Sequence, residues 1–558
     1  MAKLQVTGFK GRRPAVDNAM LDNESATVAT NCRIEGGHIK PLYDPLQTIA
    51  KTTGGALKSI YYYRPGDDWL EWETDVDVVT AQIGQDAYDR VIYTGDTGGP
   101  KQSWNAIITA GGAPYPGTSF LLGVPPPGYN VSSAPLGIAI GAVIAGTADD
   151  PTDTIDSRYY VITTVDSLGA EGPPSPVSDE VEWRPGQTVT LTIPAIPAGN
   201  YPITVSGGAY PASYRIYRTS TGSQSTEFLF VMEGTANWGG TESDTTAAAD
   251  LSEALPTEIY DLPSDEMIGI TAMPGGYLAG HFDSVLCFSE PAQPHAWPVQ
   301  YQINTKTDIV GISTLDDNAL LVTTKDRPYI AAGVDPASMT LTELPIKQSC
   351  TSKRSMADVG IGVVYSSPDG LVLASRNGTG VITTGIFTRE QWQALTPTSI
   401  EGWAWEGLYI CFHATGGFII NPAQPEAGIV DLDNTYAGAY HDPVDDTLYV
   451  VDGANIKQWD AGSTYMQFTW KGKVHEMIRP TSLGVAQLLG DTTDEFTLNV
   501  YADGDLHKAY SRKEGAPFKL RGGYKARKIQ LEIVSSTATT GGSLHAIRAA
   551  TTMEELNK

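Results

Sequence analysis

The stretch YSSPDGLVLAS, Tyr365–Ser375, is typical of two short β-strands joined by a tight turn. Ser367–Gly370 carries the turn-forming residues, and Leu371–Ala374 is an apolar run of strand type. The stretch therefore predicts a β-hairpin, and it informs the fold because similar stretches recur along the chain.

Four further stretches repeat the order of a turn followed by a β-rich run. They are MPGGYLAG from Met273, LDDNALLVTT from Leu315, WEGLYICF from Trp405 and DPVDDTLYVVDG from Asp442. Their turns recur at a spacing of roughly 40 residues, which is typical of β-propeller blades, each a small sheet that is buried against its neighbours. The sequence thus predicts an all-β chain built on a propeller.

The segment Val124–Leu262 interrupts the repeats and predicts an inserted β-sandwich. A strand at Tyr159–Val165, a turn at Asp166–Gly169 and a Pro-rich edge at Pro173–Pro176 follow one another. This order resembles a fibronectin type III domain, and an immunoglobulin-like sandwich of another topology is the alternative.

The remaining segments complete the expected domain organisation. A short helix is expected near Ser25–Asn31, capped by Asn23 or Ser25, followed by a turn at Gly36-Gly37. The predicted domains are an N-terminal lead-in and docking segment (1–53), the first propeller strands (54–123), the inserted sandwich (124–262), the propeller blades (263–465) and a C-terminal β-sandwich-like closing region (466–558).

The formal net charge of −27 argues against tight nucleic-acid binding through phosphate neutralisation, which needs clustered Lys and Arg. It is compatible with a conduit through which DNA passes without being gripped. The charge is uneven: Gly141–Tyr260 contains sixteen acidic residues and four arginines, whereas Met466–Lys558 contains thirteen basic and ten acidic residues. We therefore expect these two stretches to form different surfaces.

Four scattered cysteines (Cys32, Cys287, Cys350, Cys411) lack the density of a disulfide framework and the spacing of a zinc site, which favours buried free thiols. No apolar run reaches the roughly 18 residues of a membrane span. The N-terminus lacks the apolar core of a signal peptide, so synthesis in a cytoplasm is expected.

Searches for catalytic, metal and cofactor motifs gave no candidate. VHEMIRP from Val474 begins like a zinc-protease helix but has Arg479 in place of the second His. His281 and His295 form the nearest His pair, and structural roles are expected for both. The acidic stretch DDPTDTID from Asp149 departs from the EF-hand spacing, which favours a solvated loop. We therefore expect no catalytic residue, metal or cofactor.

An enzymatic alternative stays open, namely a propeller glycosidase or depolymerase acting on host surface sugar. Its best local candidates are Trp403 and Trp405 with Glu401 and Glu406. Alternation along one strand would place both Trp side chains on one face, where core packing is their commoner fate. A second alternative is an adhesin-like, receptor-binding module that uses the inserted sandwich to hold a receptor or glycan.

Several stretches together resemble the tail nozzle, or tail hub, proteins of short-tailed phages. They are MLDNESATVATNCRIEGGHIKPL, DVDVV, DRVIYTGDTGGPKQSW, EPAQPHAWP, DIVGI, KDRPYIAAGVDP, CTSKRSM, YSSPDGLVLAS and FTREQWQAL. The resemblance implies a propeller-based subunit of a six-fold ring below an adaptor ring that joins it to the portal. The ring's channel would retain the packaged genome and conduct DNA at ejection, with tail fibres or spikes attached nearby. The resemblance brings no catalytic residues.

The basic stretch containing Lys10, Arg12 and Arg13 is the candidate docking site for an acidic surface of the adaptor. An ordinary solvated arm is the alternative. The sequence assigns no channel-lining residues.

Overall fold

We describe the chain from a computed structural model. The described residues are 3–130, 137–203, 212–220, 227–235, 237–491, 494–536 and 540–557. They form two compact units: the first unit comprises 1–74, 310–331 and 342–558, and the second unit comprises 75–309 and 332–341. Strands dominate both units, so the prediction of an all-β chain is confirmed.

Helices are few and short in the described part of the chain. The α-helices are Asn105–Ile108, Arg389–Ala394 and Met553–Asn557. The 3₁₀-helices are Arg64–Gly66, Ala248–Asp250, Val299–Tyr301, Pro336–Ser338, Lys353–Ser355, Pro397–Ser399 and Pro425–Ala427. Among the described residues, no helix is both long and apolar enough to cross a lipid bilayer.

The hairpin predicted from the opening stretch is confirmed. Val363–Ser367 pairs antiparallel with Gly370–Ser375, and Ser367 lies opposite Gly370 across a two-residue turn. The stretches that begin at Trp405 and Asp442 form hairpins as well: Trp405 lies opposite Leu408, and Asp442 opposite Thr447. Turn residues between β-rich runs were therefore a dependable signal in this chain.

In the first unit, the hairpins belong to small antiparallel sheets that follow one another along the chain. Sheet A is Ser59–Tyr63 and Asp68–Trp72. Sheet B, which lies mostly in this unit, is Ile309–Asp316, Ala319–Thr324, Tyr329–Ala332 and Thr340–Glu343, and sheet C is Ala357–Asp358, Val363–Ser367, Gly370–Ser375 and Gly378–Val381. Sheet D is Glu401–Trp405, Leu408–His413, Gly416–Ile420 and Ile429–Leu432, and sheet E is Ala439–Asp442, Thr447–Asp452, Asn455–Gln458 and Leu46–Ala50.

Sheet E takes its fourth strand from the other end of the chain. Leu46–Ala50 pairs antiparallel with Asn455–Gln458, with Ala50 opposite Asn455. This ladder therefore ties two segments that lie far apart in the sequence to one sheet.

Consecutive sheets of the first unit share buried apolar cores. The shared cores include Leu321 and Val372 for sheets B and C, Val364 and Tyr409 for C and D, Phe412 and Val450 for D and E, and Val451 and Trp69 for E and A. Since each small sheet buries apolar side chains against the next, the sheets stabilise one another through area removed from water.

The first forty residues do not form a separate segment, because their strands pair with strands of the C-terminal region. The expected helix near Ser25–Asn31 is wrong: Ala26–Thr30 is a strand, paired with Thr469–Gly472. Its sequence ATVAT is rich in β-branched residues, and tertiary pairing outweighed the capping signal. The predicted Gly36-Gly37 turn is confirmed.

The closing region has two sheets. One of them extends sheet D, because the last strand of sheet D neighbours Ala26–Thr30. From there the strand order is Thr469–Gly472, Ala526–Ser535, Glu495–Ala502 and Asp505–Lys513. A further strand, His475–Thr481, pairs with Ala526–Ser535. The other, sheet H, is Lys3–Thr7, Cys32–Glu35, His38–Pro41, Leu544–Ala550, Val485–Gly490 and Phe518–Lys519. Both contribute to one core that contains Val6, Trp470, Leu498, Ile533 and Ile547.

The second unit contains two four-stranded sheets and the inserted segment. Sheet F is Asp77–Thr80, Val91–Thr94, Lys101–Ser103 and Phe120–Leu121; sheet G is Ile268–Met273, Tyr277–Phe282, Val285–Phe288 and Ile303–Asn304. Sheets F and G share a core that includes Ile92, Leu278 and Trp297.

The described residues of the inserted segment form two three-stranded sheets and one strand pair around a common core. The sheets are Gly141–Ala145 with Thr188–Thr192 and Thr241–Asp244, and Tyr160–Val165 with Ser213–Thr219 and Phe228–Gly234; the pair is Asp156–Arg158 with Val181–Trp183. Ile162 and Ile216 from one sheet and Val189 and Leu191 from the other meet in that core.

Candidate functional site

The basic segment Lys10–Arg13 is tied to the rest of the first unit. Lys10 Nζ lies 3.3 Å from Asp22 Oδ2 and 2.9 Å from Glu24 Oε2. The hydrogen bond to Glu24, helped by Asp22, raises the pKa of Lys10. The charge of Lys10 is thus paired within the chain.

The two arginines of the segment differ in how they are held. Arg12 Nε donates to Asp431 Oδ2 at 2.6 Å and Arg12 Nη2 to Asp431 Oδ1 at 2.7 Å. Arg13 Nε, by contrast, is buried and has no hydrogen-bond partner among the described residues. Of the three cations expected at an adaptor interface, Lys10 and Arg12 hold carboxylates of their own chain, and Arg13 keeps an unsatisfied nitrogen.

A cleft of about 500 Å³ opens beside this segment in the first unit. Its walls are the turn after the first strand of sheet H, the hairpin around Gly36-Gly37, and the end of sheet D. Polar and apolar side chains both face it, among them Glu24, Arg33, Glu35, Leu408 and Gln424. The cleft is a candidate binding site by shape.

Arg33 organises the charged side of the cleft. Its guanidinium donates to Glu35, to Glu406 and, at 2.9 Å, to Asp460 Oδ2. It also lies 5.0 Å above the ring of Trp405. One planar cation therefore joins a hairpin of sheet H to the turn of sheet D and to Asp460, which follows sheet E.

The pKa shifts in this cluster have separate causes. Burial alone would raise the pKa of Glu35, but the bonds from Arg33 and Lys40 hold it below its ordinary range. Burial raises the pKa of Asp460, in spite of its bonds with Tyr43 and Arg33. Glu35, Glu406 and Asp460 all accept hydrogen bonds from Arg33. We call these four residues the clasp and assign it a structural role, because carboxylates paired with one guanidinium are not arranged as a general acid and a general base.

Sequence reasoning missed this clasp. Arg33 lies 373 residues before Glu406 and 427 residues before Asp460, and no local motif connects them. Only the pairing of N-terminal strands with the C-terminal region brings them together.

The structure also shows where the four candidate residues of the glycosidase alternative lie. Trp405 is 4% exposed and lies in the core between sheets D and E, with Trp403 packed against the same core. The expectation that both Trp would share one face and pack inward is confirmed. Glu406 binds Arg33, and Glu401 lines a separate shallow depression beside His413.

All four cysteines are buried free thiols, as expected. Burial raises the pKa of Cys287 to about 12 and that of Cys350 to about 11, and it raises the pKa of Cys32 and Cys411 further. Thiols held protonated in this way are poor nucleophiles and poor metal ligands.

His295 lies buried in the second unit, with Nε2 3.0 Å from the carbonyl oxygen of Glu171. Burial lowers the pKa of His295 to about 4. VHEMIRP, which was rejected as a helix motif, contributes to the strand His475–Thr481.

A metal-ligating type of cluster occurs on sheet H. His38, Asp491 and His545 each bring one ligand atom to within 4.8 Å of the others. The sequence search overlooked them because it looked for short spacings, and these residues are far apart along the chain.

No family model and no curated protein matches the chain. Solved structures match it weakly. An extracellular domain of a one component system from B. thetaiotaomicron is 12% identical over 56% of this chain, with a TM-score of 0.25, and this chain covers 46% of that domain, less than half its length.

Two further structures are similar at the same level. An exo-β-1,3-galactanase from Phanerochaete chrysosporium is 9% identical, with 63% of this chain and 97% of that chain covered and a TM-score of 0.21. The AfRom2 CNH domain is 10% identical, with 60% and 93% covered and a TM-score of 0.24. At these TM-scores the likenesses carry no argument about fold or function.

Proposed function

We propose that this chain is a structural subunit of the tail nozzle, or tail hub, of a short-tailed phage. As part of a ring that is hexameric by the resemblance, it closes the tail tube, retains the packaged genome and conducts DNA during ejection. The observation that carries the proposal is the succession of small stacked sheets whose last member is completed by the N-terminal strand Leu46–Ala50. The nozzle-like stretches, in their order along the sequence, are what connect this architecture with a function in the phage tail.

In this proposal, sheets A to G are β-propeller blades. Shared cores between consecutive sheets in each unit support the assignment, because blades bury their faces against one another. A blade that combines strands far apart in the sequence, as sheet E does, would hold the first and last blades of the first unit together. Such a module keeps its shape under load, which a subunit of a DNA conduit requires.

The inserted segment is proposed to be a fibronectin type III-like sandwich. Its two three-stranded sheets around one core support this, as does its position between sheets F and G in the chain. Because it interrupts the repeats without replacing a strand of either sheet, it can serve as an attachment module for fibres or spikes.

The proposed partners follow from charge. With a net charge of −27 the subunit repels DNA phosphates on average, so the genome would pass through the channel without sequence-specific binding. The protein would be made in the host cytoplasm and end in the virion tail. For docking to the adaptor, Arg13 is the favoured cation, because Lys10 and Arg12 already hold carboxylates of their own chain.

The glycosidase alternative has less support. Trp405 is buried in a core, where a sugar ring could not stack on it, Trp403 packs against the same core, and Glu406 binds Arg33. The receptor-binding alternative depends on the inserted sandwich and needs a direct binding measurement.

The first experiment is the mass of the purified full chain by light scattering, alone and with a portal–adaptor assembly from the same phage. We expect six copies to join the assembly. A stable monomer or trimer that ignores the assembly would count against the nozzle. In that case, turnover of host polysaccharide would identify the enzyme, and capture of host glycan by the full chain would identify the receptor-binding module.

The docking role of Arg13 has a matched control. Arg13→Gln should weaken association with the assembly by about tenfold or more if this cation meets an acidic surface. Arg479→Gln removes the same charge from an exposed strand position and should leave association unchanged. If both variants weaken association with the assembly equally, Arg13 contributes only through the overall charge of the protein and is not a specific docking residue.

A further inference from the structure

We propose that His38, Asp491 and His545 form a binding site for a divalent first-row transition metal, with Zn²⁺ as the best fit. The site lies in the first unit, on sheet H, and the proposal does not depend on the function proposed above.

Strand register brings the three residues together. Ile39 lies opposite Leu544, so the residue before Ile39, His38, and the residue after Leu544, His545, meet across the same antiparallel pair. On the other side of that strand, Gly490 also lies opposite Leu544, and Asp491 N donates to Ser543 O at 3.1 Å. Three adjacent strands thus present the three side chains at one edge.

The turn before His38 fixes the position of the first ligand. Gly36 and Gly37 have φ values of +55° and +81°, and they form a two-residue turn with Glu35 opposite His38. Such a turn leaves little freedom in register, so His38 returns to the same place beside His545. The two imidazole centroids are 5.5 Å apart.

The donor atoms suit a borderline-soft cation. One nitrogen from each imidazole and one carboxylate oxygen of Asp491 lie within 4.8 Å of one another. A tetrahedral ion with bonds of about 2.0–2.1 Å holds its ligand atoms roughly 3.4 Å apart. His38 and Asp491 are exposed, so small side-chain rotations can close the remaining distance. In the described part of the chain, no hydrogen bond links the three side chains to one another.

Two nitrogens and one oxygen favour Zn²⁺, Co²⁺, Ni²⁺ or Cu²⁺ over Mg²⁺ and Ca²⁺, which prefer oxygen ligands. Three protein ligands leave a fourth position for water or for a side chain of a partner. Bound metal would join the N-terminal hairpin to two C-terminal strands, and binding to the folded state alone would raise its stability.

The test uses the full chain without a polyhistidine tag, freed of metal by a chelator. Titration calorimetry with Zn²⁺ should show one site with a Kd of about 1 μM or tighter, and Tm should rise by several degrees with Zn²⁺ but not with Mg²⁺. The absorption spectrum of bound Co²⁺ should be that of a four-coordinate ion.

Variants decide whether these residues are the ligands. His38→Gln, His545→Gln and Asp491→Asn should each weaken Zn²⁺ binding at least tenfold, while circular dichroism shows that they fold. His441→Gln is the control, because His441 also contacts a carboxylate, with Nε2 2.8 Å from Asp446 Oδ1, but belongs to no three-residue cluster of possible ligands among the described residues. An absence of saturable binding by the native chain, or binding that survives in the His38→Gln/His545→Gln double variant, would overturn the proposal.

Discussion

Arg12 and Asp431 form a two-point ion pair, with the Nε–Oδ2 distance at 2.6 Å and the Nη2–Oδ1 distance at 2.7 Å. The backbone follows the same contact: Arg12 N donates to Ile429 O at 2.7 Å, and Ile429 N donates to Arg12 O at 3.1 Å. The N-terminal segment is therefore docked onto the last strand of sheet D by main chain and side chain together.

This geometry makes Arg12 hard to replace. Arg12→Lys loses the planar fork and should lower the free energy of unfolding by about 1 kcal/mol. Arg12→Ala leaves the half-buried carboxylate of Asp431 unpaired and should cost about 2–3 kcal/mol. Urea unfolding at neutral pH measures both.

Two variants check the interpretation. Arg479→Ala at an exposed position should change the free energy of unfolding by no more than about 0.5 kcal/mol. Adding Asp431→Asn to Arg12→Ala should recover part of the loss, because the unpaired charge is removed. If Arg12→Ala unfolds like the native chain, the pair contributes nothing to stability.

The backbone contact predicts a steric effect at Gly428. This residue has φ +80°, and a Cβ there would lie 2.8 Å from Arg12 O and 2.9 Å from Gly11 C. Gly407 has a similar φ of +73°, but a Cβ there would meet open space. Gly428→Ala should therefore cost about 1–3 kcal/mol more than Gly407→Ala, because the close contact adds to the strain of a backbone whose ψ of −167° at positive φ is nearly restricted to glycine.

Thermal and urea unfolding of both variants measure this difference. Equal losses at the two positions would show that the N-terminal segment can move away from Gly428 at no cost, and the docked arrangement would then be wrong.

Much of the strand content could be predicted from the sequence, because the responsible signals are local. The opening stretch became a hairpin with Ser367 opposite Gly370, and Gly36-Gly37 became a turn, since turn residues between β-rich runs restrict the chain over a few residues. Trp403 and Trp405 followed the period-two rule into a core.

What could not be predicted depends on distant pairing. The expected helix near Ser25–Asn31 is a strand because Thr469–Gly472 pairs with it, and the sequence gives no sign of that partner. The clasp around Arg33 was missed for the same reason. The pairing of Arg12 could not be predicted either, because its acidic partner Asp431 lies far away in the sequence.

The opening hairpin has an anchor whose loss can be measured. Trp392 is fully buried, and its Nε1 donates to Ser367 O at 2.8 Å. Trp392→Phe keeps most of the ring but leaves that buried carbonyl without its donor, and should cost about 1–3 kcal/mol. Trp392→Ala also leaves a cavity, and should cost about 3–5 kcal/mol.

Chemical unfolding followed by tryptophan fluorescence and by circular dichroism gives both values. Glu390→Gln, two residues before Trp392 on the same helix but exposed, is the control and should change stability little. If Trp392→Phe leaves the free energy of unfolding unchanged, the hydrogen bond from Trp392 Nε1 to Ser367 O makes no net contribution to stability.

His295 predicts acid sensitivity in the second unit. Its pKa is about 4 in the folded chain and 6.5 ordinarily, and the cause is burial. Between these values the unfolded chain binds more protons at this site than the folded chain, so stability is present above pH 6.5 and is lost as the pH falls toward 4. The contribution reaches about 3 kcal/mol at full extent.

The His295→Gln variant separates this residue from the carboxylates that also titrate in acid. Gln keeps a donor for the carbonyl of Glu171 but has no proton to gain, so the slope of unfolding free energy between pH 4 and 6.5 should become smaller than in the native chain. Urea unfolding at four or five pH values gives the comparison. If native and His295→Gln slopes agree over this range, His295 is either solvated or protonated in the folded chain, and the buried contact with Glu171 does not form.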